Sequence, residues 1–539
     1  MRALDYDVVV IGSGAAGGVL AATLAAGTGL RVALLERGGY FGREAMTGRE
    51  DEMTARLYAD GGLRRTDDGA IVVRGGACVG GGTTVNVALC LDPVAEVWEG
   101  WRRTHGLTGF SFDAAAADYG IGGLNMTNCL AEIRARLGVH EPTDDEVNEN
   151  NRLFAAGCRA RGLAVRKFGL NMRGCVGCGL CYAGCAYDAK QGTLVTYVPD
   201  ALAAGVELLH HCDVHAIVFA RDGAGDARRA TGVRATIQPT RPGSRPNALP
   251  PGPIELHARL VIVSAGAIES PALLQRSGHP DPQGLLGRGL VLHPSLGVVG
   301  LFGHDVGAWR GIEGTMYSDA FVAQHGFFLE CLFAPLGAGA AVLPGFGPEH
   351  FALMRALPRL GAFGVMLLDS VDADNRVTWQ PGEAGNEAGD EAAGGRARIR
   401  YRLPASDRSR LAFAAEEAVR VMFAAGAREV LLPSEEPLGP LETPRFRTPD
   451  EAAFCRELAF APETTVLGSS HAQGTLKMGD DPARAVVNAR CESHHARNLV
   501  VCDSSSFPTS CGVNPMLSVM TLARYQARRI VAERTRYGL

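Results

Sequence analysis

Asp7-Val-Val-Val-Ile11, running directly into Gly12-Ser-Gly14-Ala-Ala-Gly17, decides the fold. The first five residues are a continuous apolar, β-branched run, the pattern of a strand buried on both faces. The glycines come where a strand must turn sharply into a helix. Gly12 permits the tight turn, Gly14 lets the backbone approach a pyrophosphate, and Gly17 lets helix and strand pack closely. An alanine-rich helical pattern continues to about Ala26, and Arg31-Val-Ala-Leu-Leu35 reads as a second strand. Glu36 ends it, where a carboxylate accepts hydrogen bonds from ribose hydroxyls and repels a 2′-phosphate. This βαβ unit predicts a Rossmann-like, doubly wound α/β domain with a dinucleotide on the helix N-terminus. No second strand–GxGxxG–helix unit follows, so a separate NAD domain is not expected.

Outward from that unit, 539 residues exceed what one core usually fills. A net charge of -5, with no basic stripe, argues against a nucleic-acid partner. No apolar stretch reaches spanning length without charges, and Met1 to Tyr6 does not resemble an export signal. With 14 cysteines, the expectation is a cytoplasmic protein whose thiols stay reduced or bind metal. Residues 206–266 read as short strands around a polar loop from Pro239 to Pro253, returning to a buried strand at Leu260 to Ser264. The acidic, glycine-rich Gly382 to Gly395 reads as a mobile hairpin tip. The expected division is a discontinuous cofactor domain, 1–300 and 461–539, around an α+β substrate domain, 301–460.

Further motifs resemble the glucose–methanol–choline (GMC) oxidoreductases. Gly80-Gly81-Gly82-Thr83-Thr-Val85-Asn86 is similar to that family's glycine loop beside the isoalloxazine. Gly266-Ala-Ile-Glu-Ser-Pro-Ala-Leu-Leu-Gln-Arg-Ser-Gly278 is similar to its second signature, near the adenosine. Ala77 and His279-Pro280 depart from the usual motif edges. The resemblance implies FAD, held by Gly12, Gly14, Gly17, Glu36, Gly81, Gly82, Thr83, Asn86 and Gly266. It further implies that Val214 touches the adenine through its backbone and Asp503 the ribityl-phosphate side. Val85 stands where some relatives carry a histidine joined to the flavin, so the resemblance implies non-covalent FAD.

His471-Ala-Gln-Gly-Thr-Leu-Lys-Met-Gly479 and Gly512-Val-Asn514-Pro515 match the family's pair facing flavin N5. Alcohol oxidation explains the residue types. The hydroxyl must lose its proton as the carbon gives up hydride, and a neutral imidazole can take it. An amide can hold the alcohol oxygen without competing for that proton. His471 is therefore the expected base and Asn514 its partner, with His293, His494 and His495 as fallback bases. Pro515 suits the first position of a last long helix, Met516 to Glu533, whose positive end would face the flavin N1–C2=O edge.

Cys175-Val-Gly-Cys178-Gly-Leu-Cys181-Tyr-Ala-Gly-Cys185 has the C-x2-C-x2-C-x3-C spacing of bacterial ferredoxins. Within segment 171–191 two readings stand: an iron–sulfur cluster, or buried thiols or a disulfide capping a loop. Zinc is less suited, because zinc sites separate their cysteine pairs further. The run and its surroundings (Asn148 to Asn151, Ala189-Lys190-Gln191) look most like the long-chain (fatty) alcohol oxidase members of the family. A cluster would move the electron acceptor from oxygen towards a quinone or an electron-transfer protein.

Gly326 to Leu368 is unusually apolar, broken by Glu330, Glu349, Arg355 and Arg359. That predicts a pocket for a hydrophobic primary or secondary alcohol; a sugar needs many hydrogen-bonding side chains. Contact with a membrane surface also fits. The competing readings are a sterol or sugar dehydrogenase of the same family, a hydroxynitrile lyase-like member, and a non-catalytic flavin-binding protein.

Overall fold

The structure, a computed structural model, describes residues 2–112, 124–222, 228–333, 336–382 and 395–539. The opening strand spans Arg2–Ile11, and Val8, Val9 and Val10 have no exposed surface. Burying each contributes about 1.5–3 kcal/mol. It lies parallel between Val32–Leu35 on one side and Gly252–Val263 on the other. Glu207–Leu209 and Leu499–Val501 extend this parallel layer. Cys212–Arg221, Arg228–Ile237 and Gly252–Val263 follow one another antiparallel, the meander read from residues 206–266. The helix Ala15–Ala25 is buried all round because it packs between the sheet and the C-terminal helix Met516–Ala532.

A second, nine-stranded sheet stands beside the first. Residues 301–460 supply five of its strands, with the helix Ala405–Ala424 packed over them. Ile71–Val73, Arg166–Lys167, Ser295–Leu301 and Leu467–Ser469 complete it. The pairing of Ile71–Val73 with Leu467–Ser469 is parallel and joins the two ends of the chain. It fixes the approach to His471 against the glycine loop at residues 80–86. Arg376–Gln380 and Arg396–Arg400 pair antiparallel, as a hairpin would; most of its expected tip, residues 383–394, lies outside the described residues. Among the described residues, no helix is long and apolar enough to cross a membrane.

Candidate active site

The two sheets enclose a cavity of ≈ 780 Å³. One end is built by the first βα turn. Gly12 has φ +100°, and a Cβ there would lie 2.3 Å from the Ser264 carbonyl oxygen. A Cβ at Gly17 would fall 1.7 Å from Gly12 O, so the third glycine permits close helix–strand packing. At Gly14 the nearest atom to a Cβ would be 3.9 Å away, leaving backbone open to the cavity. Gly12 thus makes the tight turn and Gly17 allows the close helix–strand approach. Gly14 borders the cavity and Gly17 does not.

Glu36 borders the same end. Its Oε2 accepts from Ser13 N (3.1 Å) and Ser13 Oγ (2.7 Å), and Oε1 accepts from Gly38 N (2.9 Å). The carboxylate thus braces the turn and keeps acceptor capacity towards the cavity. Val214 also lines this end, its carbonyl accepting from Arg276. Asp503 ties two motifs together, accepting from Gly266 N at 2.8 Å and Ser270 Oγ at 2.6 Å. Nearby, Glu269 is held down at about 2: burial works to raise it, but Arg37 and Arg64 outweigh burial.

Gly81, Gly82, Thr83 and Asn86 form the floor. Gly82 and Gly266 have nothing within 4 Å of where a Cβ would sit. Val85 is buried at this wall. Asn514 and Pro515 precede Met516–Ala532, so that helix begins at the cavity with its positive end turned to it. This long, open cleft, lined by backbone and crossed by a helix N-terminus, fits an extended dinucleotide.

His471 and Asn514 both line the cavity. Burial lowers the imidazole to about 4, so it is neutral at working pH. Among the described residues no hydrogen bond occupies its ring nitrogens, while its backbone is anchored by Ser469 and Gln473. Gln473 was read only as part of the flanking motif. Its Oε1 accepts from Cys511 N at 3.0 Å, which turns its amide nitrogen to His293 Nε2 at 3.2 Å. His293, the nearest fallback base, is fully buried behind His471 and outside the cavity lining. His494 bonds the Gly479 carbonyl at 2.8 Å, and His495 lies beside a separate small recess with His279.

The cysteine run does not form the expected centre. Cys178 is exposed and Cys175, Cys181 and Cys185 are partly buried. Among the described residues, no three His, Cys, Asp or Glu side chains gather as metal ligands. Burial pushes the Cys175 and Cys181 thiols up, with neighbouring cysteines of the run adding to it. The iron–sulfur expectation thus finds no support at these thiols. Lys190 is buried beside this run. Its buried amine donates to the carbonyls of Thr84 (2.8 Å), Asn86 (2.5 Å) and Cys181 (2.6 Å), pinning the segment to the glycine loop. Glu313, pushed up to about 8 by burial, accepts from Cys181 N and reaches the cavity wall.

A dinucleotide cleft closed by a second sheet, with histidine and amide at its inner end, defines the class of flavin-dependent oxidoreductases. The chain belongs to the GMC oxidoreductase family: residues 54–295 and 372–523 match its N- and C-terminal parts. It is 31% identical to an uncharacterized GMC-type oxidoreductase of Mycobacterium tuberculosis, over 98% of this chain and 76% of the relative. It is 27% identical to long-chain-alcohol oxidase FAO1 of Arabidopsis thaliana, over 98% of this chain and 67% of the relative. The crystal structure of pyridoxine 4-oxidase superposes with TM-score 0.63 at 20% identity, covering 97% of this chain and 99% of that one. The family implies FAD as cofactor, and the protein is an FAD-dependent oxidoreductase.

Proposed function

We propose that the protein oxidises a hydrophobic primary or secondary alcohol, with His471 taking the hydroxyl proton. The observation that carries this reading is the make-up of the wall around His471 and Asn514. The 326–368 stretch lines it with leucine, valine, alanine, phenylalanine and methionine, and Glu330 is its one charged side chain there. Such a wall accepts an alkyl chain and leaves sugar hydroxyls without partners. Non-covalent FAD, when bound, supplies the hydride acceptor. Gly12, Gly14, Gly81, Gly82, Thr83 and Gly266 would give it backbone contact, with Gly17 allowing the turn. Glu36 would take the ribose hydroxyls, Val214 the adenine edge, and Asp503 with Asn86 and Pro515 the flavin end.

His471 enters the reaction neutral and accepts the proton. Asn514 holds the alcohol oxygen so that its carbon faces the acceptor. The relatives named as alcohol oxidases support oxygen as the electron acceptor. Anaerobic bleaching of the flavin by primary alcohols of rising chain length tests the reading. Rates should rise with chain length, while glucose should be inert; equal rates for both would refute it.

A further inference from the structure

Glu330 sits in Phe327–Cys331, a strand whose five residues are all buried. Alternation turns Cys331 towards Asn150, 3.2 Å from its amide nitrogen, and Glu330 to the face that borders the cavity. Across the sheet Glu330 pairs with Tyr317 on one side and Gly364 on the other. Gly364 has no side chain to cover the carboxyl. The Asn514 side chain favours the charged form of that carboxyl, while Glu330 Oε1 and Asn514 Oδ1 are buried without partners. A carboxyl in an apolar wall, with no cation paired to it among the described residues, destabilises the fold; leucine would pack there at no such cost.

We infer that Glu330 is a positioning residue for alcohol oxidation, setting which end of the Asn514 amide is presented to the substrate. An asparagine amide has nearly the same shape either way round, and only its partner decides between nitrogen and oxygen. An ionised Glu330 accepts one N–H and leaves the second for the alcohol oxygen. A protonated Glu330 can donate to Oδ1 and turn the amide round. Burial raises Glu330 to about 7, against the pull of Asn514, so both forms occur in the neutral range. The titratable groups around it do not supply a charge there. Tyr317 across the strand pair is raised, His471 is neutral, and Glu313 on the cavity wall is raised to about 8.

The inference rests on the role proposed for Asn514, and its test separates the two. FAD content and the rate of anaerobic flavin bleaching by a long-chain alcohol are measured in FAD-loaded protein across neutral pH. In the unsubstituted protein the rate should climb as pH rises through about 7. Glu330→Gln cannot ionise and, like the protonated carboxyl, can donate to Oδ1, so it should keep FAD but lose that climb, holding the low-pH rate throughout. Glu330→Leu should slow bleaching by about tenfold or more, and adding Asn514→Ala should cost little further. The inference is overturned if the climb persists in Glu330→Gln, or if the Leu and Ala effects multiply. Should Glu330→Leu fail to fold, the Glu330→Gln profile decides alone. Unaffected Glu330 variants beside an inactive His471→Ala would sink only this inference, whereas an active His471→Ala would sink the proposed function.

Discussion

His293 and His471 meet edge to face, their ring centroids 5.5 Å apart and their planes at 85°. Gln473 joins them, its amide nitrogen within reach of the His471 carbonyl (3.1 Å) and His293 Nε2 (3.2 Å). Leu292 and His293 backbone N–H groups donate to Asp369, and Tyr401 adds a third hydrogen bond to it. His471 therefore lies against a buried, fixed scaffold, and only its cavity side is free. Burial holds His293 well below its ordinary value, and the charge it would share with His471 lowers it further.

The pH dependence follows from that burial. The neutral imidazole is the base, and His471 is lowered to about 4. The contribution of His471 should persist as pH falls from neutral and vanish only through about 4. Stopped-flow bleaching of Glu330→Gln, which lacks the ionisation assigned to Glu330, isolates this limb. A limb near the ordinary histidine value, 6.5, would contradict the environment described.

Two glycine substitutions should separate folding from cofactor binding. Gly17→Ala drives a Cβ into Gly12 O and should destabilise the protein by several kcal/mol, read from its Tm (about 1–3 kcal/mol is the usual cost of overpacking a core alone). Gly14→Ala meets no protein atom closer than 3.9 Å, so the apoprotein should keep its Tm while FAD binding weakens. Equal Tm losses in the two apoproteins would contradict the roles given to these glycines.

Thiol labelling reads the cysteine segment directly. Cys178 is exposed, while burial pushes the Cys181 thiol up and out of its reactive range. Alkylation followed by mass spectrometry should modify Cys178 first and Cys181 last. Protection of all four thiols together, lifted by a chelator, would instead show that a metal gathers them.

Val85 offers no atom for a bond to the flavin, so acid precipitation should leave the yellow colour in the supernatant. Colour in the pellet would contradict non-covalent binding.

The first βαβ unit was legible because its signals are local: Val8 to Val10, the three glycines and Glu36 lie within one short segment. The meander was legible for the same reason. The second sheet was not, because Ile71–Val73 finds Leu467–Ser469 across most of the chain, and neither strand carries a sign of the other. The His471 and Asn514 motifs were readable, but Gln473 and Glu313 owe their positions to tertiary packing. Glu330 did leave a signal: a lone carboxylate inside Phe-Phe-Leu-Glu-Cys, read as punctuation of an apolar stretch. The cysteine spacing pointed to a centre for which the thiols gather no ligand group among the described residues, while the backbone of Cys181 is engaged by Lys190 and Glu313.

The most direct test of the account is anaerobic flavin reduction by a long-chain primary alcohol in the unsubstituted protein and in His471→Ala. The account predicts that both proteins carry FAD, that the alcohol bleaches the first readily, and that His471→Ala is slower by at least ~100-fold. Bleaching of His471→Ala at close to the unsubstituted rate would contradict it.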